Sequence, residues 1–276
     1  MKRKIILLAA VAALLLTAFD ARLAVTHYQI QSAKISSPVK LALITDLHSC
    51  YYGKGQQTLV SAIDAAEPDA LLFSGDICDD LKSNNNTEIL LDAVAGRYPC
   101  YYVTGNHEIW SREAAAVKEM FRGYDVHVLS GESEALTVRE QTLLICGVDD
   151  PDRARYEKGA PTFGEQLAAV AAEADGAGDG VFSVLMSHRP ERVSDYSRYG
   201  FDLIVSGHAH GGQWRLPWGG ASLYAPDQGL NPRYTSGVYD LENSGAKMVV
   251  SRGLARESTR VPRVFNRPEL VVITLT

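Results

Sequence analysis

Apolar and polar positions follow two rhythms along this chain, and the switches between them mark out its elements. From Thr26 to Gln31 the alternation is strict: Tyr28 and Ile30 fall on one face, His27, Gln29 and Gln31 on the other. That period of two predicts a strand with one wet face. After a break at Ser36-Ser37-Pro38, Leu41-Ala42-Leu43-Ile44 is apolar throughout. Residues 57–67 then place Leu59, Val60 and Ile63 on one side of a helix that Pro68 stops. The cycle repeats with a strand at 70–73, a polar loop at 82–86, a helix over 87–97 and a strand at 101–103. A further helix runs to about Phe121, with Ser111 as its N-cap. Strands apolar on both faces, alternating with helices, predict an α/β sheet covered on both sides.

The second half continues in the same manner. Residues 143–145, 182–186 and 203–205 read as buried strands, 164–174 as an Ala-rich helix and 175–180 as a flexible turn. The tail reads as hairpin-rich, with strands at 237–241, 247–251 and 269–275. No repeat, low-complexity tract or convincing linker divides residues 26–276, which are expected to form one catalytic domain.

Ahead of that domain, Lys2-Arg3-Lys4 precedes a run, Ile5 to Phe19, with no charge and one polar residue, Thr17. Fifteen residues of helix reach roughly 22 Å, short of a hydrocarbon core of roughly 30 Å. The run fits a signal-peptide core or a short signal anchor. No small-x-small cleavage site follows it, which favours a retained anchor. Residues 1–25 are thus expected to be a signal anchor or signal peptide. The basic flank stays cytoplasmic and the rest is translocated: membrane-anchored with an extracytoplasmic domain, or secreted if the segment is cleaved.

Composition narrows the function classes. Of 276 residues, 46% are hydrophobic and 22% charged, which excludes a disordered chain. Cys50, Cys78, Cys100 and Cys146 are far apart with no C-x-x-C, which excludes a zinc finger or dense disulfide scaffold. A net charge of −6 argues against long nucleic acids. At first sight it also argues against a phosphate-bearing substrate.

The chemistry lies at the strand ends. Five apolar strands run into metal-capable residues: Asp46-Leu47-His48, Gly75-Asp76, Gly105-Asn106-His107-Glu108, Ser187-His188, and Gly207-His208-Ala209-His210. Five of the seven histidines are there; only His27 and His127 are elsewhere. Each motif alone is weak, since Gly-Asp and Gly-Asn are common turns. Together, each after a strand, they predict a metal site. If the segments are extended, residues i and i+2 point the same way, so Asp46 and His48 would converge, as would His208 and His210. Glycines 75, 105 and 207 would let the backbone turn beside the ions. A mixed Asp, His and Asn set suits Mn²⁺, Fe²⁺, Zn²⁺ or Ni²⁺ better than Ca²⁺ or Mg²⁺.

This series resembles the calcineurin-like metallophosphoesterases over residues 40–276. The strings Ser187-His188-Arg189-Pro190-Glu191, Gly207 to Gln213 and Leu223-Tyr224-Ala225-Pro226 are similar to the membrane-associated bacterial branch of the YaeI/YkuE type. The resemblance implies a four-layer α/β/β/α sandwich with a dinuclear site at the strand C-terminal ends. Asp46, His48 and His210 would hold one ion; Asn106, His188 and His208 the other; Asp76 would bridge them. Two divalent ions would hold a bridging hydroxide for in-line attack on phosphorus, with His107 as general acid or charge stabiliser at the leaving oxygen and Glu108 orienting the site.

The expected activity is metal-dependent phosphoester hydrolysis, of diesters rather than monoesters. A lipid headgroup ester or a nucleotide-linked lipid is among the substrate candidates, and no protein partner is expected. The alternatives are a binding scaffold on the same fold, or a nuclease or nucleotide phosphodiesterase. Further expectations concern the pocket. Exposed amides of Gly211 and Gly212, with Gln213, Trp214 and Arg215, would meet substrate; Trp214, Trp218 and Tyr224 would otherwise pack as loop aromatics. Arg189 would meet a phosphate or lie on the surface, and Cys50 could pair with Cys78 in an oxidising compartment. Two divalent ions with Asp46 and Asp76 leave the centre formally +2, so the net −6 does not bear on a single docked phosphate.

Overall fold

In chain order the elements are α1 (Lys2–Ala18), β1 (Ala24–Ile30), β2 (Val39–Ile44), α2 (Gln57–Ala66), β3 (Ala70–Ser74), α3 (Asn85–Val94), β4 (Cys100–Val103), α4 (Asn106–Trp110), α5 (Ala114–Gly123), β5 (His127–Val128), β6 (Glu132–Val138), β7 (Gln141–Gly147), α6 (Arg153–Tyr156), α7 (Phe163–Gly176), β8 (Phe182–Met186), α8 (Val193–Tyr196), β9 (Leu203–Ser206), β10 (Tyr224–Ala225), β11 (Gly229–Leu230), β12 (Gly237–Asp240), β13 (Lys247–Val250) and β14 (Glu269–Leu275). The computed structural model describes residues 2–217, 220–242, 244–256 and 261–276.

Two six-stranded sheets stack face to face, ordered β1-β14-β2-β3-β4-β5 and β12-β13-β9-β8-β7-β6. Within the first, β2 to β5 are parallel, with Leu43 opposite Leu72 and Ser74 opposite Val103. Within the second, β7, β8, β9 and β13 are parallel. The apolar strands still obey a period of two. Leu41, Leu43, Leu72 and Val103 meet Leu143, Ile145, Val184 and Val205 between the sheets. Their neighbours Ala42, Ile44, Leu71 and Phe73 turn outward onto Leu59, Ile63, Leu90 and Phe121 of α2, α3 and α5. Leu185, Ile204 and Met248 likewise meet Leu167 and Val170 of α7. Both faces of each sheet are buried, which is why the strands read as continuous apolar runs. The layers are helix, sheet, sheet, helix.

Two expectations are corrected. The predicted helix from Ser111 is two helices, α4 and α5, and Ser111 follows the first: its hydroxyl donates to Glu108 O (2.7 Å) and accepts from Glu113 N–H (3.0 Å). Residues 237–250 do form a hairpin, but β14 leaves for the other sheet. There it lies parallel to β1 and antiparallel to β2, with no local pattern to announce that long-range pairing. The edge strand β6, exposed over most of its length, lacked an apolar signal. Helix α1 packs on almost nothing. Only Ala18 is buried, and Phe265 N–H donates to Ala18 O at 2.7 Å. Among the described residues no helix is long and apolar enough to cross a membrane.

Candidate metal centre

The C-terminal ends of β2, β3, β4, β8 and β9 deliver Asp46, Asp76, Asn106, His188 and His208 to one place between the sheets. The turns are cross-tied. Asp46 N–H donates to Gly75 O (3.0 Å), His48 N–H to Asp76 O (3.0 Å) and Gly207 N–H to His188 O (3.1 Å). His208 N–H crosses from the second sheet to the Asp46 carboxylate (3.0 Å). The extended i, i+2 geometry is corrected here. Asp46, His48, Asp76, His208 and His210 all have φ between 46° and 63°. Left-handed backbone costs a non-glycine residue of order 1 kcal/mol or more, and Asp and His tolerate it better than most. The ligand candidates themselves make the turns. Of the three glycines, Gly75 has positive φ (82°). Gly105 is extended (φ −104°) and Gly207 is not left-handed. Their use is close approach, since a Cβ on Gly105 would fall on the Asp76 carboxylate and one on Gly207 on Thr45 and Asp46.

Among the described residues, side-chain ligand atoms gather in five overlapping groups that could hold a cation; two of these, Asp46, His48 and His210, and Asp76, His188 and His208, are wholly buried. His188 Nε2 is 3.1 Å from Asp76 Oδ2 and 3.9 Å from Asp46 Oδ1. Asp76 Oδ2 is also 3.8 Å from His48 Nε2, and His210 Nε2 is 3.6 Å from Asp46 Oδ1. Asp76 therefore lies between the two groups. Several of these atoms are buried without a hydrogen-bond partner: His48 Nε2, Asp76 Oδ2, Asn106 Oδ1, His188 Nε2 and His210 Nδ1. Buried polar atoms are rarely left unpaired, and all five belong to side chains able to ligate a metal. The residues fit a pair of divalent cations.

The electrostatics agree. Burial opposes the charge on Asp76, yet His188, His107 and His48 hold its carboxyl well below the usual range. Burial also opposes protonation of His188, but Asp76, Asp46 and Asp150 outweigh it and raise the imidazole to about 10. The carboxylates draw positive charge onto this spot, and a divalent ion could replace that proton. His188 Nδ1 is 2.9 Å from Ser74 O, a fixed acceptor, so Nδ1 donates and Nε2 faces the carboxylates. Burial, with His48 and Arg263 nearby, pushes His210 well below the ordinary imidazole range and keeps it neutral.

Around this centre stand further residues, of which the sequence singled out His107, Glu108 and Arg189 but not the aspartates. Asp80 Oδ1 is 2.7 Å from His107 Nδ1, and Asp79 Oδ2 is 3.2 Å from His48 Nδ1. Burial opposes the charge on His107, but Asp76 and Asp80 raise its pKa above the ordinary value. Asp227 Oδ2 is 2.9 Å from His208 Nε2. Asp150 and Asp152 grip Arg189 (2.6 and 3.2 Å). Asp150 was findable: it follows the end of β7 just as the ligands follow their strands. Glu108 accepts from the N–H groups of Asp76 (3.0 Å), Ile77 (2.7 Å), Cys78 (2.9 Å) and Gly105 (2.8 Å). It joins the turn of Asp76 to the turn of Asn106. A cavity of about 650 Å³ opens over the centre, lined by Asp76, Asn106, His107, Trp110, His208 and His210 among others.

The model of the family described as calcineurin-like phosphoesterases matches residues 39–212, more than half of the chain. The chain belongs to that family. It is similar to the metallophosphoesterase YkuE of Bacillus subtilis, 28% identical over 246 residues, covering 86% of this chain and 78% of that one. It is also similar to YpbG of the same organism, 25% identical over 260 residues, covering 91% and 86%. Among solved structures, the NAD nucleotidase of Haemophilus influenzae shares the fold with a TM-score of 0.55 at 16% identity; the match covers 80% of this chain and 46% of that one. This calcineurin-like phosphoesterase is thus a hydrolase of phosphoric esters, with clustered residues for a dinuclear divalent metal site.

The remaining pocket expectations fare unevenly in this phosphoesterase. Arg189 is neither on the surface nor free for phosphate. It is buried (5% exposed) and bound to Asp150, Asp152 and Asp227. Gly211 and Gly212 are buried rather than exposed. Arg215 turns away to Gly211 O, Ser222 Oγ and Ser236 Oγ. Trp214 is half-exposed and anchored through Nε1–H to Pro262 O (2.9 Å). Trp218 lies outside the described residues. All four cysteines are free and buried, so Cys50 and Cys78 are not paired.

Proposed function

We propose that this phosphoesterase cleaves phosphodiesters at a dinuclear centre. Asp46, His48 and His210 would hold one ion, Asn106, His188 and His208 the other, with Asp76 shared. The observation that carries the reading is the set of orphaned ligand atoms on both sides of the Asp76 carboxylate. Two divalent ions supply Lewis-acid activation of water and charge neutralisation at phosphorus. The chain's own residues supply the rest. His107, with Nδ1 held by Asp80, presents its other nitrogen to the cavity and holds a proton for the leaving alcohol. Asp79 orients His48 and Glu108 fixes two ligand turns, so the ligand geometry exists before the ions arrive. The reading extends to localisation: residues 1–25 place the catalytic domain at a membrane surface, supported by the apolar exposure of α1 all around its axis.

The test compares bis(4-nitrophenyl) phosphate with 4-nitrophenyl phosphate, using full-length protein and added Mn²⁺. Faster diester cleavage is expected; monoester preference overturns the diester assignment. Asp76→Ala should lose bound metal and turnover together. His107→Ala should keep metal and lose roughly 10²–10⁴ in kcat. Retained turnover in the second variant removes His107 from the mechanism.

A further inference from the structure

Beside the metal cavity runs a second groove of different character. Its volume is about 470 Å³, and its walls are Trp214, Leu223, Tyr224, Pro226, Leu230 and Val261. Leu230 is 82% exposed, and Tyr224, Trp214, Leu223 and Val261 are 44–52% exposed. An exposed apolar groove beside a catalytic cavity suits a ligand or membrane contact. The groove is built rather than loose. Leu223 N–H donates to Trp214 O (2.9 Å), Asn231 N–H to Leu223 O (3.1 Å) and Arg215 N–H to Val264 O (3.0 Å). The backbone polar groups are tied off, and what faces the groove is hydrocarbon.

Two observations identify the occupant. First, the groove adjoins the metal cavity: His210, Tyr224 and Pro226 line both. A molecule filling both has a phosphoester at the ions and an apolar arm against Trp214. Second, the groove wall leads to α1. Val264 pairs with Trp214, and the next residue, Phe265, donates its N–H to Ala18 O at the end of α1. The exposed apolar helix and the open apolar groove therefore adjoin the same strip of chain.

We propose that the groove holds the alkyl or acyl chain of the substrate, so that the ester cleaved at the metal centre is that of a membrane amphiphile. The inference rests on the diester reading above and names its substrate class. Water adds to phosphorus, one P–O bond breaks, and the leaving alcohol takes the proton; the products are a phosphomonoester and an alcohol, one of which carries the chain.

The test is a series of 4-nitrophenyl alkyl phosphodiesters, methyl to dodecyl, given to full-length protein with Mn²⁺ in aqueous buffer below each ester's micelle-forming concentration. Each methylene entering the groove should raise kcat/KM about fourfold until the groove is full. Leu230→Glu and, separately, Trp214→Ala should flatten that slope. Leu230 is the more exposed and its replacement the gentler on the fold; a melting curve checks both. A flat wild-type series, with the methyl ester still cleaved, overturns the groove assignment and leaves the diester reading standing. A slope that persists in both variants places the chain elsewhere and overturns it too. Dimerisation that Leu230→Glu abolishes, without chain-length dependence, gives the groove to a second copy instead. No cleavage of any member removes both readings.

Discussion

Glu108 shows how one buried side chain can set the geometry of a site it does not enter. Four backbone N–H groups converge on its carboxylate, two of them from the residues that precede ligand candidates or carry one, Gly105 and Asp76. Burial and the nearby Asp76 raise its pKa, and the N–H groups of Cys78 and Gly105 pull it back. An amide at this position turns a donor toward donors. Glu108→Gln should weaken metal binding about 10–100-fold and lower the melting temperature, read by metal titration and calorimetry. Unchanged affinity would detach Glu108 from the site. The thiols make a contrasting case. Burial pushes Cys100 and Cys146 up to about 12 and Cys78 well above its usual value, and Cys50 is fully buried. Thiolate is the reactive form. Native protein should therefore resist iodoacetamide, and denatured protein should take up four labels without prior reduction. Two labels would restore a disulfide. The ligand candidates were legible in the sequence because His, Asp and Asn at the ends of five apolar strands is a rare coincidence. Asp80 and Asp227 were not, because a single carboxylate in a loop looks like any turn residue until its partner is seen.

The strands were read correctly where both faces are buried, because an apolar run of four or five residues admits few other readings. The connections were harder. Residues after β2 and β9 were expected to continue extended, and instead they enter the left-handed region at Asp46, His48, His208 and His210. No pattern of hydrophobicity reports that, since the strain is sustained by tertiary hydrogen bonds such as His208 N–H to Asp46. Glycine placement carried more than was taken from it. Gly105 reads as a turn residue, yet its φ suits any residue, and its lack of a side chain is what admits the Asp76 carboxylate. Gly105→Ala should therefore keep the helix–sheet–sheet–helix fold, by circular dichroism, while lowering metal occupancy at least about tenfold. The added methyl has only the carboxylate and the Asp76 backbone to displace. Full occupancy in this variant would mean the turn has slack that its hydrogen bonds do not suggest.

The two sheets bury their own faces between α2, α3 and α5 on one side and α7 and α8 on the other. The core is complete without α1. That helix contributes 17 residues, about 25 Å of length, with Ile5, Ile6, Leu7, Leu8, Val11, Leu14, Leu15 and Leu16 all 46–76% exposed. Fully covering an exposed side chain of this kind is worth about 1.5–3 kcal/mol, and these are about three-fifths exposed on average, so the group holds on the order of 10 kcal/mol before the costs of association. Without Lys2, Arg3 and Lys4 the chain carries 24 Lys and Arg against 33 Asp and Glu, a net −9 that works against an anionic surface, while those three residues favour one locally. The apolar contribution should dominate. Full-length protein should float with vesicles whether or not they contain anionic lipid, and salt should weaken only the anionic increment. Leu8→Glu combined with Leu15→Glu forfeits two buried leucines and should lower partitioning at least about a hundredfold, with the melting temperature of the sandwich unchanged. Wild-type protein left in the vesicle-free fraction would require another cover for α1. A fall in melting temperature in the double variant would mean that α1 is part of the fold after all.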